Sequence, residues 1–292
     1  MLSASSVAAA PRRDRLLVWV CIALVTVLAW AYLVHLDRQM SSSMAHDRMM
    51  AEMGMTMDMP RTTADVFFTF AMWAVMMVGM MAGSAAPMLL LFAGVQRTHG
   101  LGQPATPTCP AEALEGPARR RKLGGGQRAK AGTPTALPLF GLGYLTVWVG
   151  FSAGAALAQE ALHRAAMLSP AMAASSPRLS GAILIAAGVY QLTPFKGACL
   201  TRCRSPLGFL MTGWRDGAFG AFRMGLAHGT YCLGCCWALM VVLFAVGVMN
   251  LLWVAALTVL VLIEKVGPWG HTAARVAGVA IIIFGIVQEV TA

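Results

Sequence analysis

The sequence predicts an all-α protein, a polytopic integral membrane bundle of about seven transmembrane helices. Two observations carry that expectation, and a third orients it. Hydrophobic residues make up 58% of the 292 residues and charged residues only 12%, about half the charge of an ordinary soluble domain. The apolar residues also fall in runs long enough to cross a bilayer. Finally, the basic residues are unevenly placed. With the N-terminus inside, 17 of the 22 Lys and Arg lie on the cytoplasmic side, as the positive-inside rule requires.

The first run, Leu16–Leu36, follows Arg12, Arg13 and Arg15. It is long for the apolar region of a secretory signal, and Ala29-Trp30-Ala31 is a poor cleavage site, so it reads as an anchor. Residues 1–36 are then a cytoplasmic start and first span, and 37–64 an outer, periplasmic, Met-rich segment. A bundle follows over 65–292. Within it Val66 to Val95 is the second span, and its Pro87 is expected to break or kink the helix. Residues 96–136, with Gly, Pro and the cluster Arg119, Arg120, Arg121 and Lys122, read as a disordered cytoplasmic loop. Further spans run over Leu137–Ala161, Leu179–Phe195, the stretch around CLGCC, Asn250–Ile263 and Thr272–Val290. Gly247–Asn250 is short enough only for a tight hairpin. The location implied is a bacterial inner membrane.

The fifth span carries the densest chemistry, Ala227–Met240, AHGTYCLGCCWALM. At about 100° per residue, His228, Cys232 and Cys235 fall at i, i+4 and i+7 on one stripe. Cys236 flanks it and Met224 extends it by a turn. Imidazole, thiolate and thioether on one face suit a soft ion such as Cu(I), with Zn(II) an option where no thioether takes part. Against this stands the fact that a free Cys packs as a small hydrophobe. A Cys-x-x-Cys-Cys with a histidine one turn upstream weighs towards a ligand set.

Methionine is the other outlier, with 21 residues. The outer segment holds eight: Met40, Met44, Met49, Met50, Met53, Met55, Met57 and Met59, beside His35 and His46. Thioethers bind Cu(I) and Ag(I), and they survive in an oxidising compartment. The alternation Met53, Met55, Met57, Met59 suits a flexible segment wrapping an ion, although a Met-rich contact surface has the same composition. In the second span Met72, Met76 and Met80 share a face, with Met77 and Met81 beside it. Met at helical spacing is usually packing, so this stripe reads as a relay only in the company of the other two motifs. Its small residues from Gly79 to Ala86 invite close approach of another helix.

After the fourth span comes YQLTPFKGACLTRCRSPLGFL, in which Thr193-Pro194 ends a helix. Cys199 and Cys203 follow, with Lys196, Arg202 and Arg204 close by, cations that favour thiolate. Glu160, His163, Glu264 and Glu289 fall near span ends, where snorkelling accounts for them. Gln191 and Asn250 read as contacts between helices. No Walker loop, Rossmann fingerprint, His-Glu-x-x-His or Ser-His-Asp order is present, so nothing marks an enzyme or an ATPase. Nucleic acid is set aside because no aromatic–basic interleaving accompanies the charge. The basic residues face anionic lipid instead.

The blocks WAVMMVGMMAGSAAPMLLLFAG, YQLTPFKGACLTRCRSPLGFL and HGTYCLGCCWALMVVLFAVGVMNLLWVAALTVLVLIEK resemble the signature blocks of a bacterial family. It is the family of predicted metal-binding integral membrane proteins, a domain of unknown function. The resemblance runs from about Asp65 to the C-terminus. It departs at Gly83, near which the family's block is expected to carry a Pro. It implies metal binding and names neither the metal nor an activity.

Together these readings give an inner-membrane protein that binds, moves or delivers a soft metal, Cu(I) first and zinc second. The outer Met segment collects the ion and the Met stripe relays it. His228, Cys232, Cys235 and Cys236 hold it, and Cys199 and Cys203 receive it inside. Spans two, four and five form the core, and a periplasmic or membrane protein partner is expected. Two alternatives stay open. One is a quinone-coupled thiol–disulfide oxidoreductase using Cys232/Cys235 and Cys199/Cys203. The other is a structural subunit of a membrane complex.

Overall fold

A computed structural model describes residues 12–53, 62–100, 135–169 and 172–291. Among these residues there are nine helices and no strand, apart from an isolated bridge between Leu168 and Ala174. They are α1 (Arg12–Glu52), α2 (Thr63–Gly100), α3 (Ala136–Arg164), α4 (Pro177–Leu192), α5 (Pro194–Arg204), α6 (Pro206–Gly213), α7 (Gly217–Val246), α8 (Leu251–Val266) and α9 (Gly270–Val290). By length and composition α1, α2, α3, α7 and α9 can each cross a membrane, and the bent pair α4 and α5 makes a sixth candidate. The sixteen-residue α8 is shorter.

Local chemistry sets the boundaries. α1 does not stop at Leu36. It continues to Glu52 because no Gly or Pro interrupts Asp37–Glu52, in which four Met with Ala, Arg and Gln sustain a helix across three Ser. At the start of α2 the backbone N–H of Thr62 donates to Asp65 Oδ2 at 2.7 Å, the acidic half of a capping box. α2 then runs through Pro87 without the break that is one of the two expected outcomes there, the other being a kink. Apolar helices packed among neighbours tolerate such a proline. α4 does end where Thr193 precedes Pro194, with Thr193 extended at φ −71°, ψ 149°. The same threonine caps α5, accepting from the Lys196 N–H at 3.4 Å, with Pro194 at the first helical position. The chain turns by 61° there. Gly247, at φ +102°, makes the tight connection from α7 to α8.

α7 is the central element. In its most apolar stretch 61% of residues are buried inside the protein, against 11% for α1 and 17% for α9. Its widest interface is with α3, the third span, which the sequence reading left outside the core. Glycine explains the closeness of the two helices. A Cβ on Gly225 of α7 would collide with the Phe140 carbonyl of α3, and one on Gly143 with the Phe222 carbonyl of α7. α4 and α9 form an equally wide contact. α1 leans on α2 at Gly79, where an added Cβ would lie 3.3 Å from Ala29 Cβ. The main core joins Met72, Trp73, Met76, Met77, Met80 and Met81 of α2 to Cys232, Cys235 and Cys236 of α7.

Candidate functional site

The site is assembled around the middle of α7. Cys232, Cys235 and Cys236 are each at most 1% exposed. The thiols of Cys235 and Cys236 both donate to the Cys232 carbonyl at 3.0 Å. α5 folds back from the Thr193-Pro194 bend and lies along α7 and α8. That brings Cys203 into side-chain interaction with Cys232 and Cys235. It also places the Cys199 sulfur over Gly234, where an added Cβ would stand 2.9 Å from it. The segment after the fourth span is thus a helix docked in the bundle rather than a juxtamembrane loop.

Three ties hold α5 there. Lys196, 1% exposed, donates to Glu264 Oε2 at 2.6 Å and also to Gln191 Oε1, while Gln191 Nε2 donates to Glu264 Oε1 at 3.2 Å. Arg204 donates to the carbonyls of Glu264 and Gly267 at 2.5 and 2.7 Å, covering the exposed end of α8. Arg202 lies 5.0 Å from the Tyr231 ring centroid. Snorkelling therefore does not describe Glu264. It is a buried partner of Lys196, because α5, turned at the Thr193-Pro194 bend, delivers a cation to it. Asn250 instead caps α8, its Oδ1 accepting from the Trp253 N–H at 3.4 Å.

Two residues that sequence reasoning passed over complete the cluster. Lys265, in the last turn of α8, is 7% exposed, and its Nζ stands 2.8 Å from Cys232 Sγ, 3.7 Å from Cys236 Sγ and 3.5 Å from Met81 Sδ. Tyr144 of α3 brings its hydroxyl to 3.1 Å from Cys232 Sγ. The signal available in the sequence was a Glu-Lys pair closing an otherwise apolar run, LLWVAALTVLVLIEK.

His228 occupies the same stripe one turn away. It is 3% exposed among the rings of Phe140, Tyr144 and Phe209, and among the described residues its Nδ1 has no hydrogen-bond partner. A buried imidazole nitrogen without a partner is costly unless a ligand or proton donor meets it. Met224, further along the stripe, belongs to a separate small core with Met88, Phe92, Phe140 and Leu210. Met72, Met76 and Met80 are buried in the main core beside the cysteines. Met53 is exposed at the end of α1, whereas Met55, Met57 and Met59 lie outside the described residues.

Chemically the cluster is a set of soft donors: thiols, thioethers and one imidazole, closed off from water. Such donors suit Cu(I) better than hard cations. Among the described residues no three His, Cys, Asp or Glu side chains already converge as a metal shell. The thiols of Cys235 and Cys236 are turned to the Cys232 carbonyl instead.

No curated protein and no solved structure matches the chain. A family model does, over residues 117–288, and it covers α3 to α9 with all the buried cysteines. α1, the Met-rich segment of 37–64 and the Met stripe of α2 precede it. By that match, which extends over more than half of its length, the chain belongs to the family described as PpoB2, copper chaperone.

Proposed function

We propose that this protein is a multi-pass protein of the bacterial inner membrane that takes Cu(I) as cargo and passes it to a partner. The ion is held by the sulfurs of Cys232 and Cys235, with Cys203, Cys199, Cys236 and His228 as the further donors around them. The observation that carries the reading is the meeting of α5 and α7. Two cysteine pairs from different helices meet there, the α7 pair buried and the α5 pair half-buried against it, inside a copper chaperone family. One straight helix rarely closes a site alone, and α5 supplies the second element. Met76 and Met80 lie in the same core and offer thioethers on the route from the outer Met segment. Met53, Met55, Met57 and Met59 gather the ion outside. Zn(II) takes second place because the surrounding donors are thioethers rather than carboxylates. The family match does not favour the thiol–disulfide alternative.

Metal analysis of protein purified without oxygen tests this. The wild type should carry Cu(I), and Cys232→Ser or Cys235→Ser should lose it, while Cys21→Ser, on the exposed face of α1, should not. Copper retained in a Cys232→Ser/Cys235→Ser double variant overturns the assignment.

A further inference from the structure

The ammonium of Lys265 poses a problem of charge. It is buried, and its neighbours are the sulfurs of Cys232, Cys236 and Met81. Among the described residues no carboxylate pairs with it, for the adjacent Glu264 turns to Lys196 on the other side of α8. A buried cation without a counter-charge is among the most expensive features a protein interior can hold. Its nearest polar neighbours among the described residues are sulfurs, Cys232 first at 2.8 Å, so Lys265 and the cysteines form one electrostatic unit.

Resting on the copper reading above, we propose that Lys265 is a positioning residue that makes the site select a monovalent over a divalent ion. The argument is a count of charge. Metals bind cysteine as thiolate. With Cys232 and Cys235 as the two thiolates and the further donors neutral thiols, thioethers and imidazole, Cu(I) leaves a net charge of −1, which the ammonium cancels. Two thiolates with Zn(II) are neutral, and the ammonium then leaves the pocket with a net charge of +1. In a pocket closed to water that difference is large, because the interaction of charges a few ångströms apart is weakly screened. The position of the ammonium, nearest to Cys232 and still beside Cys236, suits a counter-charge to sulfur rather than a ligand of its own.

The test is a competition measurement on the full-length protein in detergent under reducing conditions, with buffered Cu(I) and Zn(II) supplied together. Bound metal is read by mass spectrometry, and Cu(I)–thiolate absorption provides a second readout. Lys265→Met removes the charge at similar volume, Lys265→Gln is a second neutral variant, and Lys265→Arg keeps the charge. Wild type and Lys265→Arg should favour Cu(I), and the two neutral variants should lose that preference by about tenfold or more, the scale of one charge interaction. A purely structural lysine would lower the uptake of both metals alike. An unchanged or raised Cu(I)-to-Zn(II) ratio in Lys265→Met and Lys265→Gln overturns the inference while leaving the copper reading standing. A wild type that takes up no Cu(I) overturns both.

Discussion

Removing Glu264 should loosen α5 from the bundle without touching a sulfur. In Glu264→Ala the ammonium of Lys196 stays in the protein interior with its charged partner gone, although both side chains are 1% exposed and meet at 2.6 Å in the wild type. Breaking a buried pair from one side costs about 3–5 kcal/mol. Lys196 belongs to α5, and Arg204 with its bonds to the α8 carbonyls is the main remaining polar tie. The cost therefore falls on the docking of α5, and it shifts the equilibrium between docked and undocked forms by a factor of roughly 100 or more. Alkylation of Cys203, resolved peptide by peptide with mass spectrometry, reads that equilibrium when opening is fast. Cys203, half-buried in the docked form, should react several-fold to about 100-fold faster in Glu264→Ala, while the exposed Cys21 keeps its rate. In a Lys196→Met/Glu264→Leu double variant, where both charges are replaced by apolar groups, protection should largely return. If the single variant reacts as slowly as wild type, or the double as fast as the single, the ion pair does not hold α5.

Three further outcomes follow from other parts of the chain. Reporter fusions within residues 96–136 should report the cytoplasm and fusions within 37–64 the outside; a periplasmic signal near Lys122 would reverse the threading. A peptide covering Met40–Met59 should bind Cu(I) or Ag(I) and much less Zn(II) in a titration, and equal Zn(II) binding would move the ligands to His35, His46 and the carboxylates. Gly225→Ala should destabilise the protein in detergent by about 1–3 kcal/mol, because the new methyl meets the Phe140 carbonyl of a packed helix. Gly154→Ala, with open space around it, should leave the melting temperature unchanged.

The helices were largely legible because apolar runs and Pro or Gly punctuation act locally. Thr193-Pro194 marked a true break, and Gly247–Asn250 a tight connection. α1 overran its expected end because apolarity, which marks a span, is not what sustains a helix: Met, Ala and Gln continue one equally well. The stripe His228, Cys232, Cys235 was readable from helical period alone. Its surroundings were not, since they depend on where α5 goes after the bend. A count of basic residues treats Lys196 and Lys265 as cytoplasmic charge, yet both are buried, one against Glu264 and the other against sulfur. A burial of that kind is decided by tertiary partners. Sequence shows only that a lysine ends an apolar run.

The crowding of α7 has a mechanical consequence. A helix enclosed by α3, α4, α5 and α8 cannot slide or rotate without disturbing several close-packed interfaces at once, and packed interfaces resist continuous deformation. The glycine contacts with α3 leave no slack, since backbone already lies against backbone at Gly225 and Gly143. α7 is in effect the anvil, and α5 is the light part: eleven residues, joined to α4 through one extended threonine. Cys232, Cys235 and Cys236 thus stand on the least yielding helix of the protein, while Cys199 and Cys203 stand on a short one that meets α4 at a single residue.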